Sequence, residues 1–327
     1  MNFLKKNKKI VIITSIFIVL FITNSVVNTV ISSKIEEKIS DFLKDSDKES
    51  EIKYEDISYS FLNSKITFEE IEINFNDREY IQIEELELTF DRNDLPSMKE
   101  IKEGNFNILL TNSKINLTKT KFVNRDVLSE VEYLELSLNG QMNPNENELN
   151  FNYFDLRLNE LEISPNKDEG KLELGNLEFE LDSDDLINIV KFKELYREID
   201  DLSDLSIKFN LDNFILPHDL TKQLDLDDIG IRELEGKEFS MEITKNDDDF
   251  NLDFYLNTQY LGELSLEAEM DFSKNKNDPF LNLEISLKNL DENFTKILKR
   301  TKLVEDGENS FRFNYEGNIN DIEKSIF

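Results

Sequence analysis

The segment ITFEEIEINF at residues 66–75 alternates apolar and polar residues, pauses at two glutamates, and alternates again. The pattern repeats in IQIEELELTF (81–90), LRLNELEI (156–163) and LELGNLEFEL (172–181). A period of two is typical of a half-buried β-strand, but two consecutive polar residues reverse its parity. The pattern therefore predicts either a bulge that keeps both apolar sets on one side or a strand end at each polar pair. Both devices curve a sheet.

Alternation continues almost to the C-terminus and predicts a mostly β protein. Turn-forming segments such as NPNEN and SPNKDEG separate the strands. The predicted strands lie at residues 56–62, 65–75, 80–90, 105–118, 131–139, 149–163, 171–181, 203–215, 238–244, 250–257, 261–272, 280–287 and 311–316.

Helical patterns are few. The strongest is SDDLINIVKFKELYREIDDL at residues 183–202, where Ser183 is the expected N-cap and acidic residues follow in the first turn. Shorter helices are predicted at residues 94–104, 217–226 and 291–304, the last with its acidic residues first and its basic residues late.

The N-terminus predicts a membrane anchor. Four lysines within residues 1–9 precede an apolar stretch at residues 10–31, which is long enough to cross a bilayer as a helix. The charge bias places the N-terminus in the cytoplasm and the bulk of the chain outside it. A cleaved signal peptide is the alternative, because residues 10–23 alone have the length of its apolar region. The expected organisation is a tip and anchor at 1–33, a helical stalk at 34–50 and an exported β-rich domain at 51–327, with a sub-boundary near 182–202.

Charge and residue content argue against several functions. A formal net charge of −32 disfavours nucleic-acid binding, which requires basic residues to neutralise phosphates. Without cysteine there is no thiol nucleophile, and His218 is the sole histidine, expected on the surface in the first turn of a short helix. The acidic runs at 182–185 and 247–249 lack the spacing of a calcium loop. We therefore expect no catalytic residues, no metal and no cofactor.

Three segments carry a family resemblance. YEDISYSFLNSKITFEEIEINF (54–75), behind an anchor and a stalk, resembles the start of AsmA-like envelope proteins. LEISLKNLDENFTKILKRTKL (283–303) and SFRFNYEGNIND (310–321) resemble parts of the related YdgA-like proteins. The resemblance implies a long, curved antiparallel sheet with an apolar concave side, an inner-membrane location with a periplasmic domain, and a part in lipid transport or outer-membrane upkeep. It implies no catalytic residue.

Two functions follow as expectations. In the first, an anchored β-groove binds or guides membrane lipids through an apolar lining. In the second, the anchored domain is a non-catalytic module that binds other envelope proteins, and the same apolar residues form an ordinary closed core. The expected groove residues are Ile66, Phe68, Ile71, Ile73, Phe75, Ile81, Ile83, Leu86, Leu88 and Phe90.

Overall fold

The computed structural model describes most of the chain from residue 51 onward. The described residues are 51–60, 64–76, 78–91, 108–124, 127–143, 148–165, 170–188, 204–223, 233–259, 261–273, 278–292, 295, 298–299, 304–305, 307 and 309–322. The predicted anchor, stalk and 94–104 helix lie outside these residues.

The described part is mostly β-strand, and its strands form one large, open antiparallel sheet. The strands are β1 (Glu51–Lys53), β2 (Asp56–Ser60), β3 (Lys65–Asn76), β4 (Glu79–Thr89), β5 (Ile108–Val123), β6 (Val127–Asn143), β7 (Glu148–Pro165), β8 (Leu172–Asn188), β9 (Asp204–Leu216), β10 (Leu234–Asn246), β11 (Asp249–Thr258), β12 (Gly262–Asp271), β13 (Phe280–Lys288), β14 (Val304–Glu305) and β15 (Phe311–Asn318).

Strand order follows the chain closely, as expected when consecutive strands pair with each other. It runs β1-β3-β4-β5-β6-β7-β8-β9-β10-β11-β12-β13-β15-β14, and β2 also pairs with β3. Each of the thirteen predicted strands overlaps an observed one, which confirms the mostly β fold. The very short β1 and β14 were not predicted.

The helix predicted at 183–202 is wrong over its first residues. Strand β8 continues to Asn188, and Ser183 lies opposite Leu205 of β9 instead of capping a helix. Its Oγ donates to the Asp204 carbonyl at 2.9 Å. Residues 189–203 lie outside the described part.

Two other helix predictions agree with the structure in part. Helix α1 (His218–Gln223) lies within the predicted 217–226 segment. In the 291–304 segment, Thr295 N donates to Asp291 O and Lys299 N to Thr295 O, which are helical i to i−4 hydrogen bonds.

The chain divides into two compact units. Unit 1 comprises Met1–Arg125, Tyr133–Phe151 and Leu186–Lys193, and unit 2 comprises Asp126–Glu132, Asn152–Asp185 and Glu194–Phe327.

The skipped beat in unit 1 is a kink shared by neighbouring strands. Glu70 has a φ of +51° in the middle of β3, and the β3–β4 ladder has the same register on both sides of it. Between β4 and β5 the ladder likewise skips Glu84 and Lys119, and Lys119 has a φ of +45°. In all three strands, therefore, the apolar side switches between odd-numbered and even-numbered residues at the same position across the sheet. The predicted irregularity at Glu69–Glu70 is confirmed, but it is neither a strand end nor a two-against-one bulge.

Unit 2 contains a second kink row. The β8–β9 ladder skips Gly175 and Asn213, and the β9–β10 ladder skips Asn213 and Lys237 without a register shift. Asn213 has a φ of +52°, as does Glu160 in the polar pair of β7. Between β10 and β11 the register does shift, at Gly236/Glu238. That bulge ends the row because β11 carries no matching extra residue.

Candidate functional site

All ten predicted groove residues lie together in unit 1. Eight of them are buried, with exposed fractions of 2–8%, and they share one cluster with Ile57 of β2. The other two, Phe75 and Ile81, are partly buried and pack against that cluster, as do Ile115 and Leu117 of β5. We call this set the unit 1 cluster. Because of the kink row, the apolar residues before and after Glu70 contribute to the same cluster.

Unit 2 carries a second apolar surface, which the strand register assembles. Three rows of directly opposite apolar residues each cross the seven strands from β8 to β13 and β15. From β8 to β15, the rows are Leu177, Leu211, Phe239, Leu256, Leu264, Leu287 and Phe311; then Phe179, Phe209, Met241, Phe254, Leu266, Ile285 and Phe313; then Leu181, Ile207, Ile243, Leu252, Ala268, Leu283 and Tyr315. We call this surface the unit 2 apolar face.

The centre of the unit 2 apolar face is only half-buried. Met241, Phe254 and Leu266, in the middle row on β10, β11 and β12, all retain partial exposure, and so do the central members of the first row. The rings of Phe209 and Phe239 lie 5.3 Å apart edge to face, and those of Phe239 and Phe254 lie 5.2 Å apart. These contacts give the face an aromatic centre of defined geometry.

The size of the unit 2 apolar face follows from strand geometry. Seven strands at a spacing of about 4.8 Å span about 29 Å, and three rows two residues apart span about 14 Å along the strands. The hydrocarbon core of a bilayer is about 30 Å thick, so one leaflet contributes about 15 Å. The face is therefore long enough to hold an extended acyl chain that lies across its strands.

An aromatic ring packs over β10 beyond the first row of the apolar face. Gly236 of β10 lies opposite Phe214 of β9, and a Cβ atom added to Gly236 would lie 1.9 Å from Cζ of the ring. Phe214 and Leu234 are buried and form a core cluster with Leu211. Only a residue without a side chain lets the ring lie over the strand here.

The opposite face of unit 2 is polar and acidic. Glu242, Asp253, Glu267 and Glu284 lie directly opposite one another across β10 to β13. We call these four residues the carboxylate row. Carboxylates placed this way repel one another and destabilise a sheet, although Glu242 and Glu284 at the two ends also form ion pairs with Lys208 and Arg312. The two faces of unit 2 therefore differ sharply: one is apolar, and the other is acidic.

The strand ends of unit 2 gather a small acidic group. Burial raises the pKa of the Asp204 carboxyl above its ordinary value. The charge of Asp184, a hydrogen bond with it and then the charge of Asp247 raise that pKa further. Within the described residues, however, no three histidine or carboxylate side chains are placed to hold a metal ion. His218 is exposed at the start of α1, as predicted.

Sequence reasoning selected the unit 1 cluster and missed the unit 2 apolar face. The strands of unit 2 were predicted individually, but their rows depend on which residues lie opposite each other. The skipped beat at Asp212–Asn213 of β9 is visible in the sequence and was the available signal.

Together, the fold and the two surfaces define a class: a mostly β protein built on an open antiparallel sheet, with one apolar and one acidic sheet face in unit 2. Comparison with protein-family models, curated proteins and solved structures finds no match to this chain. Among the described residues, no helix is long and apolar enough to cross a membrane. The predicted anchor at 10–31 lies outside them.

Proposed function

We propose that this chain is a membrane-anchored envelope protein whose β-sheet binds or guides lipids, in lipid transport or outer-membrane biogenesis. The observation that supports this function best is the half-buried unit 2 apolar face. The three rows contain no charged residue across seven described strands. An apolar sheet face is stable only when another layer covers it, and an acyl chain supplies such a layer.

Burial of lipid on this face is energetically sufficient. Each CH₂ group moved out of water contributes about 0.8 kcal/mol, so ten CH₂ groups contribute about 8 kcal/mol before the cost of immobilising the chain. This binding needs apolar area and width, and no particular polar contact. The acidic opposite face disfavours anionic headgroups on that side, so the headgroup lies at a rim of the apolar face.

The proposed location rests on the N-terminal segment. An uncleaved anchor at residues 10–31, with the N-terminus in the cytoplasm, keeps the sheet beside the inner membrane on its outer side. Lipids of that membrane are then within reach of the sheet, and other envelope proteins are candidate receivers. The proposed activity is binding and transfer, without a catalytic step.

Site-specific photo-crosslinking tests this function. The reactive residue p-benzoylphenylalanine replaces Leu266, in the half-buried centre of the apolar face, in the full chain expressed in cells. The matched control places it at Ser265, the preceding residue, whose side chain points to the other face. We expect lipid adducts at position 266 and none at 265, detected by mass spectrometry. Equal labelling at both positions, or no lipid adduct at 266, would reject the proposal.

A second function, a non-catalytic interaction module, is favoured by the unit 1 cluster. Its eight buried members have exposed fractions of 2–8%, which is the burial of an ordinary core. In this alternative the apolar surfaces serve stability, and the acidic face binds a basic envelope partner. Salt-sensitive capture of a defined partner by a chain that carries no lipid would support it.

A further inference from the structure

Two clefts lie at the second kink row of unit 2. The large cleft, of about 820 Å³, is lined by Asn213 and Lys237 of that row. The small cleft, of about 530 Å³, is lined by their neighbours Asp212 and Glu238. Both volumes fall in the range of small-molecule sites. Each cleft is partly open to solvent, so a ligand can enter it without displacing protein atoms.

The strand register joins the two clefts through one polar row. On the acidic face, directly opposite residues run from β8 to β12: Asn176, Asp212, Glu238, Asn257 and Glu263. The first three line the small cleft, and the last two line the large cleft. Five strands at a spacing of about 4.8 Å span about 19 Å. An extended ligand that lies across these strands beside the kink therefore contacts both clefts.

The next row on the acidic face carries hydroxyl groups. Directly opposite one another across β10 to β13 lie Ser240, Tyr255, Ser265 and Ser286. Burial and then the charge of Glu263 raise the pKa of the Tyr255 phenol above its ordinary value, while a hydrogen bond with Asn257 opposes them. The phenol is therefore protonated at neutral pH and lies beside the large cleft, where it can donate or accept a hydrogen bond.

Primary amides line both clefts. The large cleft has Asn213, Asn257, Gln259 and Asn289, and the small cleft has three further asparagines. An amide both donates and accepts hydrogen bonds, as a hydroxyl does, whereas a carboxylate only accepts. Sugar hydroxyls also donate and accept. The mixture of amides, hydroxyls and carboxylates thus matches a ligand rich in hydroxyl groups.

The charge of the clefts decides between ligand classes. Six carboxylates line them against one ammonium group, that of Lys237. This charge repels anionic ligands, including phosphorylated and acidic sugars. A basic peptide pairs with the carboxylates, but its ammonium groups only donate, so they leave the amide N–H groups unmatched. A neutral sugar chain uses the donors and the acceptors together.

We propose that the two clefts form one binding site for a neutral oligosaccharide, which lies across β8 to β12 on the acidic face. The carboxylates and the amide oxygens accept hydrogen bonds from sugar hydroxyls, and the amide N–H groups donate to sugar oxygens. The site is independent of the proposed lipid function, because it occupies the opposite face of the sheet.

Saturation-transfer NMR on the full chain, in a detergent that has no sugar headgroup, tests the site. The probes are three neutral hexasaccharides (cellohexaose, maltohexaose and chitohexaose), the anionic hexagalacturonate, and hexalysine. We expect binding of a neutral hexasaccharide and none of hexagalacturonate. Binding of the neutral sugar should be the same at about 0.05 M and about 0.5 M salt, because no charged groups pair.

Two variants each remove one amide of the polar row, N176A in the small cleft and N257A in the large cleft. One hydrogen bond of ordinary strength corresponds to about a 2- to 10-fold change in affinity, so each variant should weaken sugar binding by that factor. The matched control is N314A. Asn314 is an exposed asparagine of β15 that lies opposite Glu284, and it should leave the affinity unchanged. Hydrogen exchange of β8 to β12 checks that each variant keeps its fold.

The outcomes separate this site from the alternatives. Binding of none of the three neutral hexasaccharides, equal binding of hexagalacturonate, or the same affinity in N176A, N257A and N314A would overturn the site. Salt-sensitive binding of hexalysine without sugar binding would also overturn it, and would point to a basic peptide as the ligand. Lipid adducts at position 266 are read separately, so none of these results decides the proposed function.

Discussion

The carboxylate row of unit 2 makes a quantitative prediction about stability. Glu267 of β12 lies opposite Asp253 on one side and Glu284, which is ion-paired with Arg312, on the other, so E267Q removes one full and one partly neutralised repulsive pair. Directly opposite Cβ atoms are about 5 Å apart. At that separation two unit charges in water repel by about 0.8 kcal/mol, so both pairs together contribute at most about 1.6 kcal/mol, because the Arg312 ion pair offsets part of the Glu284 charge. At an ionic strength of 0.15 M, screening roughly halves this to about 0.9 kcal/mol.

Hydrogen exchange of peptides from β11 to β13, read by mass spectrometry, is the suitable assay. It reports the local opening free energy and avoids the two-state assumption, which a chain with two units need not satisfy. We expect slower exchange in E267Q, a gain that shrinks as salt is added, and a larger gain in E267K, where repulsion becomes attraction.

The matched control is E269Q on the same strand and face. Glu269 lies opposite Asn251 and Asn282, and its Oε2 accepts a hydrogen bond from Asn282 Nδ2 at 3.2 Å. With no opposing charge to relieve, E269Q should show no gain and a small loss. If E267Q and E269Q behaved alike, or if the E267Q gain were independent of salt, the carboxylate row would not carry the repulsion that the register implies.

Three further changes test particular contacts. D184N should lower the pKa of Asp204 toward its ordinary value. A raised carboxyl pKa favours folding at low pH, and that contribution is lost as the pH rises through the raised pKa. Hydrogen exchange at the end of β8 should therefore become less pH-dependent in D184N. G236A should cost about 1–3 kcal/mol of local opening free energy, measured by hydrogen exchange, because its Cβ meets the Phe214 ring that packs over the strand. E70G relieves a left-handed residue whereas E69G only adds chain entropy, so E70G should be the more stable by about 1–2 kcal/mol in the same assay.

The strands were predictable because alternation is a local property of the sequence. The exceptions have physical reasons. β1 and β14 have three and two residues, too few to show a period. Residues 183–188 resembled a helix start because serine and acidic residues are typical of an N-cap, but pairing with β9 determines their structure. Within the described part of the chain, tertiary pairing thus overrode a local signal at residues 183–188.

The kink rows were predictable only in part. In sequence, Glu70 and Glu84 are equidistant from residue 77, so a hairpin centred there places them opposite each other. That hairpin accounts for the spacing of the two repeats at 66–75 and 81–90. The matching skip at Lys119 follows from register with a strand across a long connection, which no local pattern encodes.

The same limit applies to the candidate sites. Each apolar row of unit 2 is made of residues from seven strands, and its continuity depends on six registers. The sequence shows that every strand has an apolar side, but it does not show which residues align or how far they are exposed.

The carboxylate row gives a physical reason why association of unit 2 through its two faces should be unequal. A second sheet that approached the acidic face would meet a row of like charges and would have to desolvate them, at a cost that increases as the charges come together. The apolar face presents no such barrier, and its half-buried centre gains free energy from any apolar cover. Repulsion on one side therefore directs contacts to the other. The row weakens the sheet that contains it, yet it leaves the apolar face as the surface that we propose holds a lipid chain.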